Sequence, residues 1–148
     1  MDENRTPNAD NEYTNSDFGY DAVGNLTTYA DKQFRYDWAN RLIEVSDNSG
    51  IVASYTYDAL NRRITKYVVA DDTTTSYIYF GSQVLEELEN GTFKRRYIYG
   101  SYVDEPLSMY DADTNQTYTY LRDRQFSVVG LVDEQGDVVE SYRYSSFG

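Results

Sequence analysis

The sequence predicts an all-β protein made of tandem antiparallel β-hairpins that share one tyrosine-rich sheet. Three observations predict it. The composition holds 17 Tyr, 6 Phe and 1 Trp but only 2 Pro among 148 residues, and Tyr, Val, Ile and Thr suit the pleated, half-buried surface of a strand. Turn signals recur every 8 to 12 residues along most of the chain, separated by runs of period-2 alternation. On a longer ruler, the second aromatic of each Tyr-x-Tyr-like pair falls at Tyr20, Tyr36, Tyr57, Tyr79, Tyr99, Tyr120 and Tyr144, with gaps of 16, 21, 22, 20, 21 and 24 residues. A sustained period near 20 marks a repeat architecture with about two strands in each unit. A lone hairpin is marginal in water, so hairpins laid side by side must cover one another.

The elements follow in order. Residues 1–16 are polar, nearly free of aliphatic side chains, and expected to form a disordered or loosely attached lead-in. Residues 17–70 carry a ten-residue phrase three times: Phe18 to Thr27, Phe34 to Ile43 and Tyr55 to Ile64. Residues 71–148 continue the hairpins in the same sheet. Val23-Gly24-Asn25, Asn48-Ser49-Gly50, Asn90-Gly91 and Gln135-Gly136 are turns rich in residues that tolerate positive φ, and Asn90-Gly91 reads as a two-residue hairpin loop. Asp71-Asp72-Thr73 and Asp113-Thr114-Asn115 are polar turns. Between them, Ile51, Ala53, Tyr55 and Tyr57 are expected on one strand face. Phe93, Arg95, Tyr97 and Tyr99 form another such row, as do Val138, Glu140, Tyr142 and Tyr144. Val84 to Glu89 has helix-friendly residues, but Asn-Gly follows at once and a strand is expected.

Composition also removes function classes. The chain has no Cys and no His, so disulfides, thiol nucleophiles, imidazole bases and the common zinc sets are out of reach. Net charge is −12, from 13 basic and 25 acidic residues, which repels nucleic acid and anionic membrane surfaces. The longest basic run, Lys94-Arg95-Arg96, lies within a strand pattern. No apolar window is long enough for a transmembrane helix, and no membrane insertion is expected. The start of the chain lacks a charged-then-apolar signal pattern, so the signal of an exported parent is expected outside this stretch. No cofactor is expected.

The repeated phrase carries a family resemblance. Tyr36-Asp37-Trp38-Ala39-Asn40-Arg41-Leu42 and Tyr57-Asp58-Ala59-Leu60-Asn61-Arg62-Arg63, with the looser copy Tyr20-Asp21-Ala22-Val23-Gly24-Asn25-Leu26, resemble the YD repeat of bacterial Rhs proteins. The stretches Tyr97 to Leu107 and Tyr118 to Gly148 are similar to the opening and the end of the core region that closes an Rhs repeat array. The resemblance covers about residues 18–148. It implies that residues 17–70 are YD repeats and residues 71–148 Rhs core-like hairpins. Rhs, insecticidal toxin-complex and teneurin proteins build β-sheets that spiral into hollow shells, which in many bacterial members enclose a toxin. A curved strip of such a wall, about a dozen strands long, is therefore implied. The chain departs from the core pattern in two places. Asp123-Arg124-Gln125-Phe126-Ser127 stands where the family often has Asp-His-Leu-Gly-Ser, and Tyr144-Ser145-Ser146-Phe147-Gly148 where it usually has Tyr-Asp-Pro-Phe-Gly. The family's aspartate-dependent self-cleavage is not carried over, because Ser145 and Ser146 replace the Asp and Pro.

Candidate sites are weighed on the residues themselves. Asp21, Asp37 and Asp58 are a repeated row of carboxylates, the residue type of paired acid catalysts. Their recurrence at equivalent points of successive hairpins assigns them instead to turns, accepting hydrogen bonds from backbone amides, with Arg41 and Arg62 pairing across two of those turns. Tyr20, Gly24, Tyr36, Asn40, Tyr57 and Asn61 complete the structural motif. Asp111-Ala112-Asp113-Thr114-Asn115 begins like a calcium loop, but Gln116 and Arg122 occupy the places of its Gly and Glu, and a polar hairpin turn is expected. The acidic Asp133-Glu134-Gln135-Gly136-Asp137 is expected as a solvated type I′-like turn. The tyrosines Tyr55, Tyr77, Tyr79, Tyr97, Tyr99, Tyr118, Tyr120, Tyr142 and Tyr144 form either cross-strand stacks within a wall or, if exposed, a platform for sugar rings. Asn25, Asn90 and Asn115 head glycosylation sequons at turns.

The sequence thus points to a non-enzymatic, structural segment of a large secreted or cell-surface protein, extracellular or on the bacterial surface, forming part of a toxin-enclosing shell or a surface fibre. Its expected partners are neighbouring repeats of the parent chain. A carbohydrate- or surface-binding adhesion module using exposed Tyr rows is the alternative, with polysaccharide as its ligand. Self-association through open sheet edges into a filament is a further one.

Overall fold

The structure is a computed structural model that describes residues 8, 12, 13 and 16–145. Most of the expected lead-in over 1–16, and the last three residues of the chain, lie outside the described residues. Among those described there are thirteen strands and no helix. The chain forms two compact units, one ending at Thr74 and the other beginning at Thr75.

The first unit holds β1 (Phe18–Tyr20), β2 (Leu26–Tyr29), β3 (Lys32–Tyr36), β4 (Leu42–Asp47), β5 (Gly50–Tyr57) and β6 (Arg63–Val68). Each strand pairs antiparallel with its sequence neighbour. The second unit repeats the plan with β7 (Thr73–Phe80), which starts at the junction, β8 (Gln83–Glu89), β9 (Thr92–Tyr99), β10 (Pro106–Asp111), β11 (Gln116–Arg122), β12 (Val128–Val132) and β13 (Val138–Ser141). Tandem antiparallel hairpins are therefore the architecture, as expected, and Val84 to Glu89 is a strand. Asn90 (φ 49°) and Gly91 (φ 80°) both lie in the left-handed region, the two-residue loop that their pairing predicts.

Each unit is a meander in which one face collects the larger side chains. Residues directly opposite on neighbouring strands share a face. In the first unit Phe34, Val45, Ala53 and Val68 are successive partners across β3–β6, and Ala53 at 6% exposure is the centre of that patch. In the second, Tyr97–Met109–Tyr118 and Tyr120–Leu131–Glu140 are such rows, with Leu131 buried. The opposite face of the second unit leaves Ile78, Ile98 and Leu121 exposed, Ile98 at 55%.

Alternation is broken where strands bulge. Ile51 is exposed while Ala53 is buried, although period 2 puts them on one face. The pairing runs Val45↔Ala53 and then Ser46↔Ile51, so Val52 is an extra residue that re-aims the strand.

Candidate functional site

The repeated phrase folds into one five-residue loop, seen most fully at Asp58. Counting Asp58 as position 1, its N–H donates to the carbonyl of position 5, Arg62 (2.9 Å), and the N–H of position 4, Asn61, donates to the Asp58 carbonyl (3.2 Å). The carboxylate Oδ1 accepts from the amides of positions 3 and 5, Leu60 (2.8 Å) and Arg62 (2.9 Å). Oδ2 accepts from Arg62 Nε at 2.7 Å, with Nη2 at 2.6 Å. Asp suits position 1 because a short acceptor-only side chain can satisfy amides that the tight turn leaves without strand partners. Position 4 has positive φ: 64° at Asn61, 58° at Asn40 and 86° at Gly24. Glycine and asparagine adopt that region most readily.

Asp37 and Asp21 repeat the geometry. Asp37 Oδ1 accepts from Ala39 N (2.9 Å) and Arg41 N (3.1 Å), and Oδ2 from Arg41 Nε (2.8 Å). Asp21 Oδ1 accepts from Val23 N (3.0 Å) and Asn25 N (2.9 Å), and Oδ2 from Asn25 Nδ2 (2.8 Å). The side chain of Asn25 holds the Asp21 carboxyl below its ordinary pKa. Arg41 does the same for Asp37, and the Arg62 backbone amide leads the effect at Asp58. These loops join β1–β2, β3–β4 and β5–β6, alternate connections that line one edge of the unit.

The loops are linked to one another as well as closed upon themselves. Asn25 Nδ2 donates to Asn40 Oδ1 in the next loop (3.1 Å). Arg41 Nη1 donates to both the Asp58 carbonyl and Asn61 Oδ1 in the loop after that, each at 3.0 Å. The tyrosine before Asp58 works in the other direction. Tyr57 OH donates to the carbonyl of Leu42, the residue just after the previous loop (2.8 Å), and the Arg41 guanidinium lies 5.0 Å from the Tyr57 ring centre.

Three further copies of the loop escaped the sequence reading. Asp123 Oδ1 accepts from Gln125 N (2.8 Å) and Ser127 N (3.0 Å), and Asp133 Oδ1 from Gln135 N (3.0 Å) and Asp137 N (2.9 Å). Asp133–Asp137 is therefore not a type I′-like turn: within it Gly136 at position 4 has positive φ, and the carboxylate organises the rest. Its Asp-x-x-Gly spacing matches Asp21-x-x-Gly24 and was the available signal. Asp123 lacked that signal, because Phe126 holds position 4 at φ 64°. The third copy lies in the lead-in. Asn8 N donates to the Glu12 carbonyl (2.8 Å), and Glu12 N to Asn8 Oδ1 (2.9 Å). Tyr13, just after it, donates its N–H to Tyr20 OH (3.2 Å). Tyr144 repeats the arrangement of Tyr57, its hydroxyl donating to the carbonyl of Val128 (2.5 Å), just after the Asp123 loop.

A bulge follows every Asp loop. The residue before Asp pairs with position 6, and the register then shifts so that position 7 is extra: Thr27, Ile43, Ile64, Val129 and Val139. The repeat is thus a turn plus a bulge, which fixes both the reversal and the local twist.

The tyrosine rows divide by exposure. Tyr55, Tyr77, Tyr79, Tyr97, Tyr99, Tyr118 and Tyr120 are half-buried, whereas Tyr142 and Tyr144 are exposed. Tyr97, Tyr118, Tyr120 and Tyr142 line an open groove of about 340 Å³ with Arg95 and Asp111. Asp111, 7% exposed, receives Arg95 Nε at 2.9 Å. Burial alone would raise its pKa, but the Asp113 amide and Arg95 together hold it low. Burial, then Glu87, raises Tyr97, and the Glu140 carboxylate pushes Tyr142 up to about 12. The Asp111–Asn115 turn is organised by cations of the chain: Arg95 holds Asp111, and Lys94 pairs with Asp113. Among the described residues no three carboxylates converge as a metal cluster.

These loops recur, each is closed by its own Asp or Asn side chain, and Tyr20, Tyr57 and Tyr144 each tie a strand to the residue just after an earlier loop. The family model described as Teneurin YD-shell matches residues 6–148. The chain belongs to the teneurin YD-shell family. No curated protein sequence matches it. As a YD-shell segment the chain is a structural β-sheet part of a YD-repeat shell, a kind of domain that is typically non-catalytic and packs against neighbouring repeats of its parent. The geometry agrees chemically: Asp21, Asp37 and Asp58 each direct both carboxylate oxygens at their own loops.

Proposed function

We propose that this YD-shell segment is a length of wall in a secreted or bacterial cell-surface protein, where the wall encloses a polypeptide toxin or extends as a surface fibre. The two-faced second unit carries the reading. One face packs half-buried tyrosines against Met109 and Leu131, while the other exposes Ile78, Ile98 and Leu121. A sheet with so little buried surface of its own gains from a layer laid against the apolar face, which an enclosed chain supplies. The exposed turn-tip residues Val23, Trp38 (91% exposed) and Leu60 offer contacts to further wall.

The test uses the parent protein with its flanking sequence. Electron microscopy should show hollow particles, and protease should leave an enclosed polypeptide intact until Ile98→Lys and Leu121→Lys are introduced. Solid fibres on cells with no protected polypeptide would favour the surface fibre. Compact particles without a lumen, and no surface labelling, would reject both.

The tyrosine groove favours a second reading, a carbohydrate-binding module. Tyrosine rings beside an Arg–Asp pair offer stacking surface and charged hydrogen-bond groups to a sugar. Retention on a glycan panel that falls with Tyr118→Ala and Tyr142→Ala would support it, and no retention would reject it. Exposed Val138 and Val139 on β13 favour self-association through that strand, which light scattering on dilution would detect.

A further inference from the structure

Position 4 of the Asp loop presents a puzzle. It requires a left-handed backbone, which glycine adopts without cost and which a side chain disfavours. Gly136 occupies it where a β-carbon would meet nothing within 4 Å, and Gly24 where such a carbon would meet only Glu12 Oε1 at 3.9 Å. The other copies carry side chains. Asparagine is tolerated there, but phenylalanine is not a residue that this conformation selects.

At Asn40, Asn61 and Phe126 the side chain at position 4 touches the preceding loop on the same edge. Asn40 Oδ1 accepts from Asn25, position 5 of the loop before it (3.1 Å). Asn61 Oδ1 accepts from Arg41, again position 5 of the loop before it (3.0 Å). Phe126 stacks on Tyr102 with ring centres 5.2 Å apart and planes 19° apart. Tyr102 lies in the β9–β10 connection, the preceding one on the edge that holds the β11–β12 loop, and its amide is held by Glu105 Oε2 (3.0 Å).

We propose that position 4 is the residue by which a hairpin recognises the hairpin before it, and that its side chain is chosen to match what that neighbour offers. A donor at position 5 calls for asparagine. An aromatic ring calls for an aromatic ring. Glycine stands at Gly136, where no partner is met, and at Gly24, where the preceding loop brings only the Glu12 carboxylate near. The left-handed strain at Asn40, Asn61 and Phe126 is the cost of reading the neighbour, and the contact offsets it. On this rule the turn edge carries a pairing code, separate from the Tyr-Asp signature that only makes the loop. The rule holds whether the wall encloses a cargo or forms a fibre, because it concerns how one hairpin chooses the next.

The decisive variant is Phe126→Gly in the full chain. Relief of left-handed strain alone would raise the melting temperature. Recognition of Tyr102 predicts a fall of several degrees, and predicts that the fall disappears, or reverses, when Phe126→Gly is made in a Tyr102→Ala background. A rise in the otherwise unchanged chain, or an equal change in both backgrounds, would overturn the proposal. A second set guards against a variant that fails to fold. Asn61→Gly should speed hydrogen exchange at the Leu60 and Arg62 amides several-fold, whereas Arg41→Asn, which restores the Asn25–Asn40 type of match, should leave it nearly unchanged. Equal exchange in Asn61→Gly and the unchanged chain would overturn it as surely.

Discussion

In the unit that ends at Thr74, the closest ion pairs lie in the turns. Asp37 holds Arg41 and Asp58 holds Arg62, each at 2.6 Å within one five-residue loop. In the unit that begins at Thr75, the Asp123 and Asp133 loops carry no arginine at position 5, and a run of ion pairs bridges the middle of strands. Arg95 on β9 joins Asp111 on β10 (2.9 Å) to Glu87 on β8 (3.5 Å), while on the other face Arg96 meets Glu86 at 2.7 Å. A turn pair shapes the reversal and then reaches the next loop. A strand pair does nothing for the reversal but fixes which residues stand opposite, since a one-residue slip would carry Arg95 to the other face. The arginine that closes the turn in one unit thus gives way in the other to arginines that set the register of its central strands, a device the first unit also uses at Arg35–Glu44.

The contrast can be broken most severely at Asp111. Asp111→Ala leaves Arg95 without its closest partner and should cost about 2–3 kcal/mol, read by chemical denaturation, with faster hydrogen exchange across β9 and β10. Asp58→Ala comes next, with a smaller shift of the denaturation midpoint and its exchange effect confined to residues 58–64. Asp58→Asn, which keeps the Oδ1 acceptor, should recover about half of that loss.

Acid sharpens the comparison further. The folded pKa values of Asp21, Asp37 and Asp58 are lowered, so their contribution is complete above the unfolded carboxylate value near pH 4. It is lost as pH falls through the lower folded values. The melting temperature should drop as pH falls below about 4, and less so in the triple Asp→Asn variant of these positions. The smallest effect belongs to Arg96→Ala. Its side chain is 60% exposed, and an exposed pair contributes about 0.5 kcal/mol, so denaturation midpoints should barely move.

The hairpins were legible because two short-range signals agree in this chain: period-2 alternation, and a turn residue about every ten positions. The Asp loop was legible wherever Tyr preceded it and Asn or Gly followed three places on. Asp133–Asp137 was legible as a turn but not as an Asp loop, because Val132 precedes it instead of Tyr, although its Gly136 carries the same instruction. Asp123 was harder, since Phe126 contradicts backbone preference and its ring partner Tyr102 lies 24 residues earlier in the chain. Asn8 was passed over because a polar stretch has the composition of a disordered one, yet an Asx side chain closes a loop without any apolar support. The bulges left no mark, since Thr27, Ile43 and Ile64 are ordinary strand residues and their extra place is set by the loop before them.

The stitches between loops are short in sequence. Asn25 reaches Asn40, 15 residues on, and Arg41 reaches Asn61, 20 residues on. Each repeat therefore completes its contacts as soon as one more repeat has been made. Such a chain need not wait for its far end: it can set repeat by repeat as it leaves a ribosome, with loop-closure entropy bounded at every step. Lengthening it by another phrase adds wall without slowing the part already built.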